Sequence, residues 1–271
     1  MILVTGATDG LGRALATELA DAGATVLVHG RSEERLAAAV TEISARTGNG
    51  SLRTYRADLA SLPEVRALAE EIAGRETRLD ALVNNAGVGT TLAGSAERMV
   101  SRDGIELRFA VNYLAGYLLT RALMELLVAS APARVVNVSS AGQAPIDFDD
   151  VMLERRYSGV QAYCQSKLAQ VMLTFDLAEE LAPHGVTATC LHPATYMPTT
   201  MVRDAGAPIT STLEEGTRAT LRLIAAPELD GVSGRYFDGE QEGGAHPQAY
   251  DQQARERLRR LSQELIAAAG A

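Results

Sequence analysis

Short runs of apolar, often β-branched residues alternate along this chain with longer stretches whose apolar positions recur at helical spacing, and that alternation predicts strands and helices in turn. Strands are expected at residues 1–5, Ala24–His29, Leu52–Ala57, Leu79–Val83, Arg134–Val138, Val186–Leu191 and Arg235–Phe237. Helices are expected at 13–23, 33–46, from Pro63 onward, at 103–129, 160–182 and 213–225, and over about 247–269. This order predicts one α/β domain over 1–271, a doubly wound parallel sheet with helices on both faces. Two connections are long for such a fold. The polar stretch 142–160, with Pro145 and three aspartates, reads as a substrate-side insertion, and 193–212, with Gly206 and three prolines, as a lid loop.

Composition narrows the function by exclusion. The formal charge is -9, with acidic and basic residues mixed along the chain, so no nucleic-acid or anionic-membrane partner is expected. Cys164 and Cys190 lack metal-ligand spacing, which predicts reduced thiols, no metal and a cytoplasmic setting. The apolar strand at Met1–Thr5 leaves no room for a signal peptide, and no apolar run approaches a membrane span.

Candidate chemistry begins where the first strand ends, in Thr5-Gly6-Ala7-Thr8-Asp9-Gly10-Leu11-Gly12. Strand, glycine-rich turn and helix make a phosphate cradle, because glycines let the backbone approach a pyrophosphate and the helix N-terminus offers free N–H groups. The end of the second strand selects the cofactor: an acidic residue there holds a ribose 2′-hydroxyl, and here the chain reads His29-Gly30-Arg31-Ser32. Arg31 is placed for a 2′-phosphate and Arg13 adds a second cation, so NADP(H) is preferred over NAD(H). Asp58-Leu59 ends the third strand, where a carboxylate can accept from an adenine amino group, with Ser61 a candidate cap for the next helix. Asn84-Asn85-Ala86-Gly87 ends the fourth strand and suits a crevice floor against a ribose.

Tyr163 and Lys167 lie four residues apart in a helical run and share one face. A phenol titrates near 10 when unperturbed, and a lysine cation about 4 Å away is worth roughly 4 kcal/mol at an effective dielectric near 20. That suffices to bring the phenol into the range of acid-base catalysis. Ser139 and Ser140 arrive at the carboxyl end of the fifth strand, where ligands bind in open parallel sheets. Asn112, inside an apolar helix, needs a specific partner; a water linked to Lys167 and a purely structural bond both satisfy it. Of the histidines, only His192 borders this cleft.

The glycine turn, Asn84-Asn85-Ala86-Gly87, Asn112, the serine pair and Tyr163-x-x-x-Lys167 resemble, in order, the short-chain dehydrogenase/reductase family, over Met1 to about Gly239. The resemblance implies a Rossmann-type fold and an NADPH-dependent carbonyl reductase or alcohol dehydrogenase for a small or medium, largely apolar substrate. In it Tyr163 is the general acid or base, Lys167 tunes it and holds the nicotinamide ribose, Ser140 bonds the substrate oxygen, and Asn112 anchors a relay water. The long gap from Ser140 to Tyr163 is similar to the retinol-dehydrogenase-like and protochlorophyllide-reductase-like branches. The family's Pro-Gly after the sixth strand is here Pro193-Ala194, and Pro198 stands where a hydroxyl is usual, which bears on contacts from Thr195, Tyr196 and Thr199. A homodimer or homotetramer is implied, paired through the helices at 104–129 and 160–182. Epimerisation, C=C reduction and a non-catalytic nucleotide-binding role are the alternatives on this scaffold.

Overall fold

The computed structural model describes residues 1–91 and 97–271. Its strands are β1 (Ile2–Val4), β2 (Val26–Gly30), β3 (Leu52–Arg56), β4 (Ala81–Asn84), β5 (Ala133–Val138), β6 (Val186–His192), β7 (Arg235–Asp238) and β8 (Gln241–Gly243). Its helices are α1 (Gly10–Asp21), α2 (Glu33–Thr47), α3 (Leu62–Arg75), α4 (Ala115–Ala122), α5 (Met124–Ala129), α6 (Gly159–Leu181), α7 (Thr200–Asp204), α8 (Leu213–Ala225) and α9 (Gln252–Ala268). The strands form one sheet in the order β3-β2-β1-β4-β5-β6-β7-β8. All pairings are parallel up to β7, and β8 turns back antiparallel. The order reverses between β1 and β4, and a crevice opens at the carboxyl ends of strands at such a switch point.

Side chains of a strand alternate between faces, so Leu3 and Val4 enter different cores. Leu3, Leu27, Leu82 and Val135 pack on one side with residues of α3, α4, α6 and α9. Val4, Val28, Val83 and Val136 pack on the other with residues of α1, α2 and α8. Each such burial is worth about 1.5–3 kcal/mol, which explains why the central strands read as unbroken apolar runs.

Five features depart from the pattern-based expectation. The helix expected from 103 begins later, because Gly104 adopts a left-handed φ of 78° and Val100 bridges Glu106. That helix opens with a π-helical turn, Phe109–Leu114, ahead of α4. The hairpin of β7 and β8 turns on Gly239, at φ 58°, and Glu240, a two-residue loop with glycine first. α7 forms inside the lid loop, capped by Thr199, whose hydroxyl accepts from the Val202 N–H. Ser61 makes no side-chain cap bond on α3; Asp103 accepts from the Leu62 N–H at 2.9 Å instead.

The insertion is packed rather than solvated. Ile146, Val151 and Leu153 are buried, and the Gln248 amide bonds both the N–H and the carbonyl of Ile146, at 2.7 and 3.1 Å. The face assigned to subunit pairing is occupied within the chain by α9. Tyr113 and Ser262 share a buried hydroxyl–hydroxyl bond of 2.8 Å, and Arg255 donates to Asp176 and Glu179 at 2.9 and 2.8 Å. Among the described residues, no helix is long and apolar enough to cross a membrane.

Candidate active site

The glycine turn is built by backbone contact. Gly6 and Gly10 hold φ of 66° and 50°, a region costly for other residues. A Cβ on Gly12 would overlap the Gly6 carbonyl oxygen and crowd the Asn85 amide, and one on Gly6 would stand 2.9 Å from Ala86 Cα. Asp9 caps α1 by accepting from the Gly10 N–H at 2.8 Å, and Leu11 is buried beneath the turn. Asn85 Nδ2 donates to the Thr5 carbonyl at 2.8 Å, and the Thr5 hydroxyl accepts from the N–H groups of Asn85 and Ala86. Asn85 therefore braces the turn, leaving Ala86 and Gly87 on the crevice floor.

His29 is a member of this assembly that the sequence did not announce. It is fully buried, its Nδ1 accepts from the Gly6 N–H at 3.2 Å, and its Nε2 lies 3.2 Å from the Ala57 carbonyl. That pair of bonds requires a neutral ring with the proton on Nε2. Burial pushes its pKa down to about 4.

Arg31, Arg56, Asp58, Glu64 and Arg102 gather beyond the ends of β2 and β3 around a cavity of about 410 Å³. The Asp58 carboxylate already accepts from the Ala60 N–H at 3.0 Å and lies 3.4 Å from Arg102, and Leu59 is buried. Arg13, expected beside Arg31, is instead paired with Glu42 of α2 at 3.0 Å.

The opposite bank carries the acid-base residues. β5 delivers the serine pair with alternating directions: Ser139 donates to the Lys167 carbonyl at 2.8 Å, inside the protein, whereas the Ser140 hydroxyl faces the Tyr163 ring, both lying beside Gly142 at 3.5 and 3.8 Å from where its Cβ would fall. Tyr236 on β7 donates to the Ser140 carbonyl at 3.2 Å and holds that strand end. Lys167 is buried, with Nζ donating to the Val138 carbonyl at 2.9 Å and to Gln170 at 2.8 Å. An ammonium has three donors, so one remains for the crevice, where Gly87 lies: a Cβ there would be 3.6 Å from Nζ.

Electrostatics differ from the simple picture of a cation lowering a phenol. Burial raises the Tyr163 pKa, partly offset by the Ser140 bond. Burial also pushes Lys167 down to about 7, and its Nζ stands 5.7 Å from the Tyr163 ring centroid. Desolvation of both groups outweighs their mutual effect. His192 is lowered too, first by burial and then by the neighbouring lysine charge.

Asn112 lies in the π-helical turn, a distortion frequent at functional sites. Its Oδ1 accepts from the Val88 N–H at 2.7 Å, and its Nδ2 donates to the Val88 carbonyl and to Ser166 at 3.1 and 2.9 Å. The amide thus clamps the loop after β4 to α6. A second clamp, unforeseen in the sequence, centres on a wholly buried Arg108 and Glu106: Arg108 donates to the carbonyls of Gly89 and Thr90 at 2.7 and 2.8 Å, and meets Glu106 and the Tyr157 hydroxyl. Two charges flanking Leu107 at the head of an apolar helix were the available signal.

The lid crosses both banks. Gly10 faces Thr199 Cγ2 at 3.2 Å from its Cβ position, and Gly89 faces Met201 Cγ at 2.6 Å. Pro193 lies beside Gly216, Thr195 bonds His192 Nε2 at 2.9 Å, and Tyr196 is exposed with φ 50°.

The residues present fit a dinucleotide: a cradle no Cβ can enter, a spare ammonium donor in the crevice and arginines at the adenosine end. Residues 1–209 match the short chain dehydrogenase family model. The chain belongs to that family, within its retinol-dehydrogenase-like branch. It is 36% identical to mouse retinol dehydrogenase 13 over 98% of this chain and 83% of that one. It is also 36% identical to human retinol dehydrogenase 12, over 98% and 86%. Among solved structures, an Escherichia coli short chain dehydrogenase complexed with NADPH superposes with a TM-score of 0.70 at 29% identity, covering 88% of this chain and 95% of that one. A Mycobacterium paratuberculosis protein reaches 0.79 at 29%, covering 98% and 92%. The chain is therefore an oxidoreductase by family.

Proposed function

We propose that this protein is an NADPH-dependent oxidoreductase that interconverts a ketone or aldehyde and its alcohol, with Tyr163 as acid in reduction and base in oxidation. The observation that carries the reading is the convergence of Ser140, after β5, and Tyr163 of α6 beside Gly142, next to a buried lysine with one unspent donor, 5.7 Å from the Tyr163 ring. The cofactor, when bound, supplies or accepts the hydride. Ser140 and Tyr163 hold the substrate oxygen between two hydroxyls, and the phenol delivers its proton there. Lys167, with one donor left after Val138 and Gln170, would hold a ribose hydroxyl of the bound nucleotide and keep a proton source beside the phenol. Asn112 fixes the loop wall beside Gly87.

Arg31, exposed after β2, supports 2′-phosphate recognition, and the NADPH-bound relative agrees with that choice. Gly6, Thr8, Gly10, Leu11 and Gly12 would hold the pyrophosphate, Asp58 and Leu59 the adenine, and Pro193 and Thr195 the nicotinamide side. The names of the retinol dehydrogenase relatives support a largely apolar alcohol or aldehyde as substrate. Tyr163→Phe should keep NADPH binding while turnover falls by about 10²–10⁴-fold, read by nucleotide titration and by NADPH consumption with an aldehyde series. Unchanged turnover in that variant would overturn the assignment, and product analysis separates carbonyl reduction from epimerisation or C=C reduction.

A further inference from the structure

Of the 25 Lys and Arg residues in the chain, Lys167 is the one lysine, and it is buried. A buried cation is costly unless its donors are met. The two acceptors that meet it are both neutral, the Val138 carbonyl of β5 at 2.9 Å and the Gln170 amide oxygen at 2.8 Å. Gln170 stands one helical turn further along α6, on the face it shares with Lys167, and is itself only 2% exposed. An ammonium only donates, so the amide must present its oxygen there rather than its nitrogen. The helix is tied to the sheet at this level: Thr174 donates to the Gln170 carbonyl and accepts from Asn137 of β5, both at 2.8 Å.

The titratable neighbours of the amine come from α6 and β6. Tyr163 of α6 has its ring centroid 5.7 Å from Nζ. Cys190 lies deeper on β6 beside Thr174, its thiol pushed up to about 12 by burial. His192 ends β6, held down by burial and by the lysine charge, while Asp238 of β7 acts on that imidazole in the opposite sense. On the β4 side the facing groups are Gly87 and the Asn112 amide.

We propose that Gln170 is a positioning residue for the reaction: its amide oxygen fixes the Lys167 side chain against β5 and keeps the amine charged, with the third N–H turned to the crevice. This rests on the oxidoreductase reading above and extends it to a residue behind the crevice rather than in it. Burial works against the charge and pushes Lys167 down to about 7, so near neutrality each acceptor decides how much of the amine keeps its proton. A bond from a charged donor is about twice as strong as a neutral one, and losing it penalises the charged form selectively.

Because the chain holds one lysine, NMR of the full chain isotopically labelled at lysine Cε reads the Lys167 titration directly and without substrate. Gln170→Met keeps the length and removes the acceptor, whereas Gln170→Glu keeps the shape and makes the acceptor an anion. The titration midpoint should fall by about 1–2 pH units in Gln170→Met and rise by a similar amount in Gln170→Glu. Opposite shifts are not produced by a residue that only fills space. The alkaline limb of kcat for NADPH oxidation with decanal should move with the midpoint in each variant. An unmoved midpoint in either variant overturns the inference, as do shifts of the same sign in both, or a midpoint that moves while the alkaline limb stays at the wild-type pH. Retained turnover in Tyr163→Phe would remove the acid-base assignment instead, and the lysine titration would still judge Gln170, so the two failures are told apart.

Discussion

The two banks of the crevice are held by opposite means. On the glycine-turn bank, contact is made by backbone and short neutral groups: Gly6, Gly12, Thr5, Asn85 and the uncharged ring of His29. On the insertion bank, the loop after β4 hangs from a buried ion pair, Arg108 with Glu106, closed by Tyr157. The first arrangement is intolerant of volume and the second of lost charge, so the same kind of substitution should act differently on each side.

The largest effect is expected on the charged bank. Arg108→Ala strands the Glu106 carboxylate and the Gly89 and Thr90 carbonyls, and should cost about 3–5 kcal/mol. Adding Glu106→Gln should restore part of it, as a double-mutant cycle by denaturant unfolding will read. The neutral bank should instead fail in acid. His29 titrates near 4 in the folded chain against 6.5 in the unfolded one, so its stabilising share is whole above about pH 6.5 and lost as the pH falls toward 4. A proton on Nδ1 also removes the acceptor for the Gly6 N–H. Melting temperature should therefore drop across that window by less in His29→Gln than in the wild type.

Volume is the smaller lever. Gly12→Ala must displace the Gly6 carbonyl or the Asn85 amide, at about 1–3 kcal/mol, and should weaken NADPH binding while leaving the Arg108 cluster intact, by parallel melts and titrations. Smallest is the contrast within the serine pair. Ser139→Ala loses one buried bond to the Lys167 carbonyl, about 1 kcal/mol of stability, with turnover kept. Ser140→Ala should keep stability and lose turnover. A reversal of that pattern would show that β5 presents the other hydroxyl to the crevice.

Much of the fold was legible because it is periodic. β1 to β7, α2, α6 and α8 lie close to where apolar spacing put them, since each element must turn a definite set of side chains toward a core. What escaped was governed by partners distant in sequence. The helix start near 103 was set by the bridge from Val100 to Glu106 and by Gly104, and β8 is a strand of Gln-Glu-Gly that exists through pairing with β7. In the site, Tyr163, Lys167 and the glycines carry their signal in short-range spacing. Adjacency of Arg13 to the turn said nothing of Glu42, which approaches from another helix and pairs with it.

The sequence by itself determined the alternating sheet, the phosphate turn and the tyrosine–lysine face, because these depend on residues within one turn or one strand of each other. Tertiary structure alone decided that Ser139 turns inward to the Lys167 carbonyl while Ser140 faces the phenol, that burial shifts Tyr163 up and Lys167 down, and that α9 covers the face of α6. Those outcomes depend on which groups lose water and which distant groups replace it, and desolvation has no local signature in a chain.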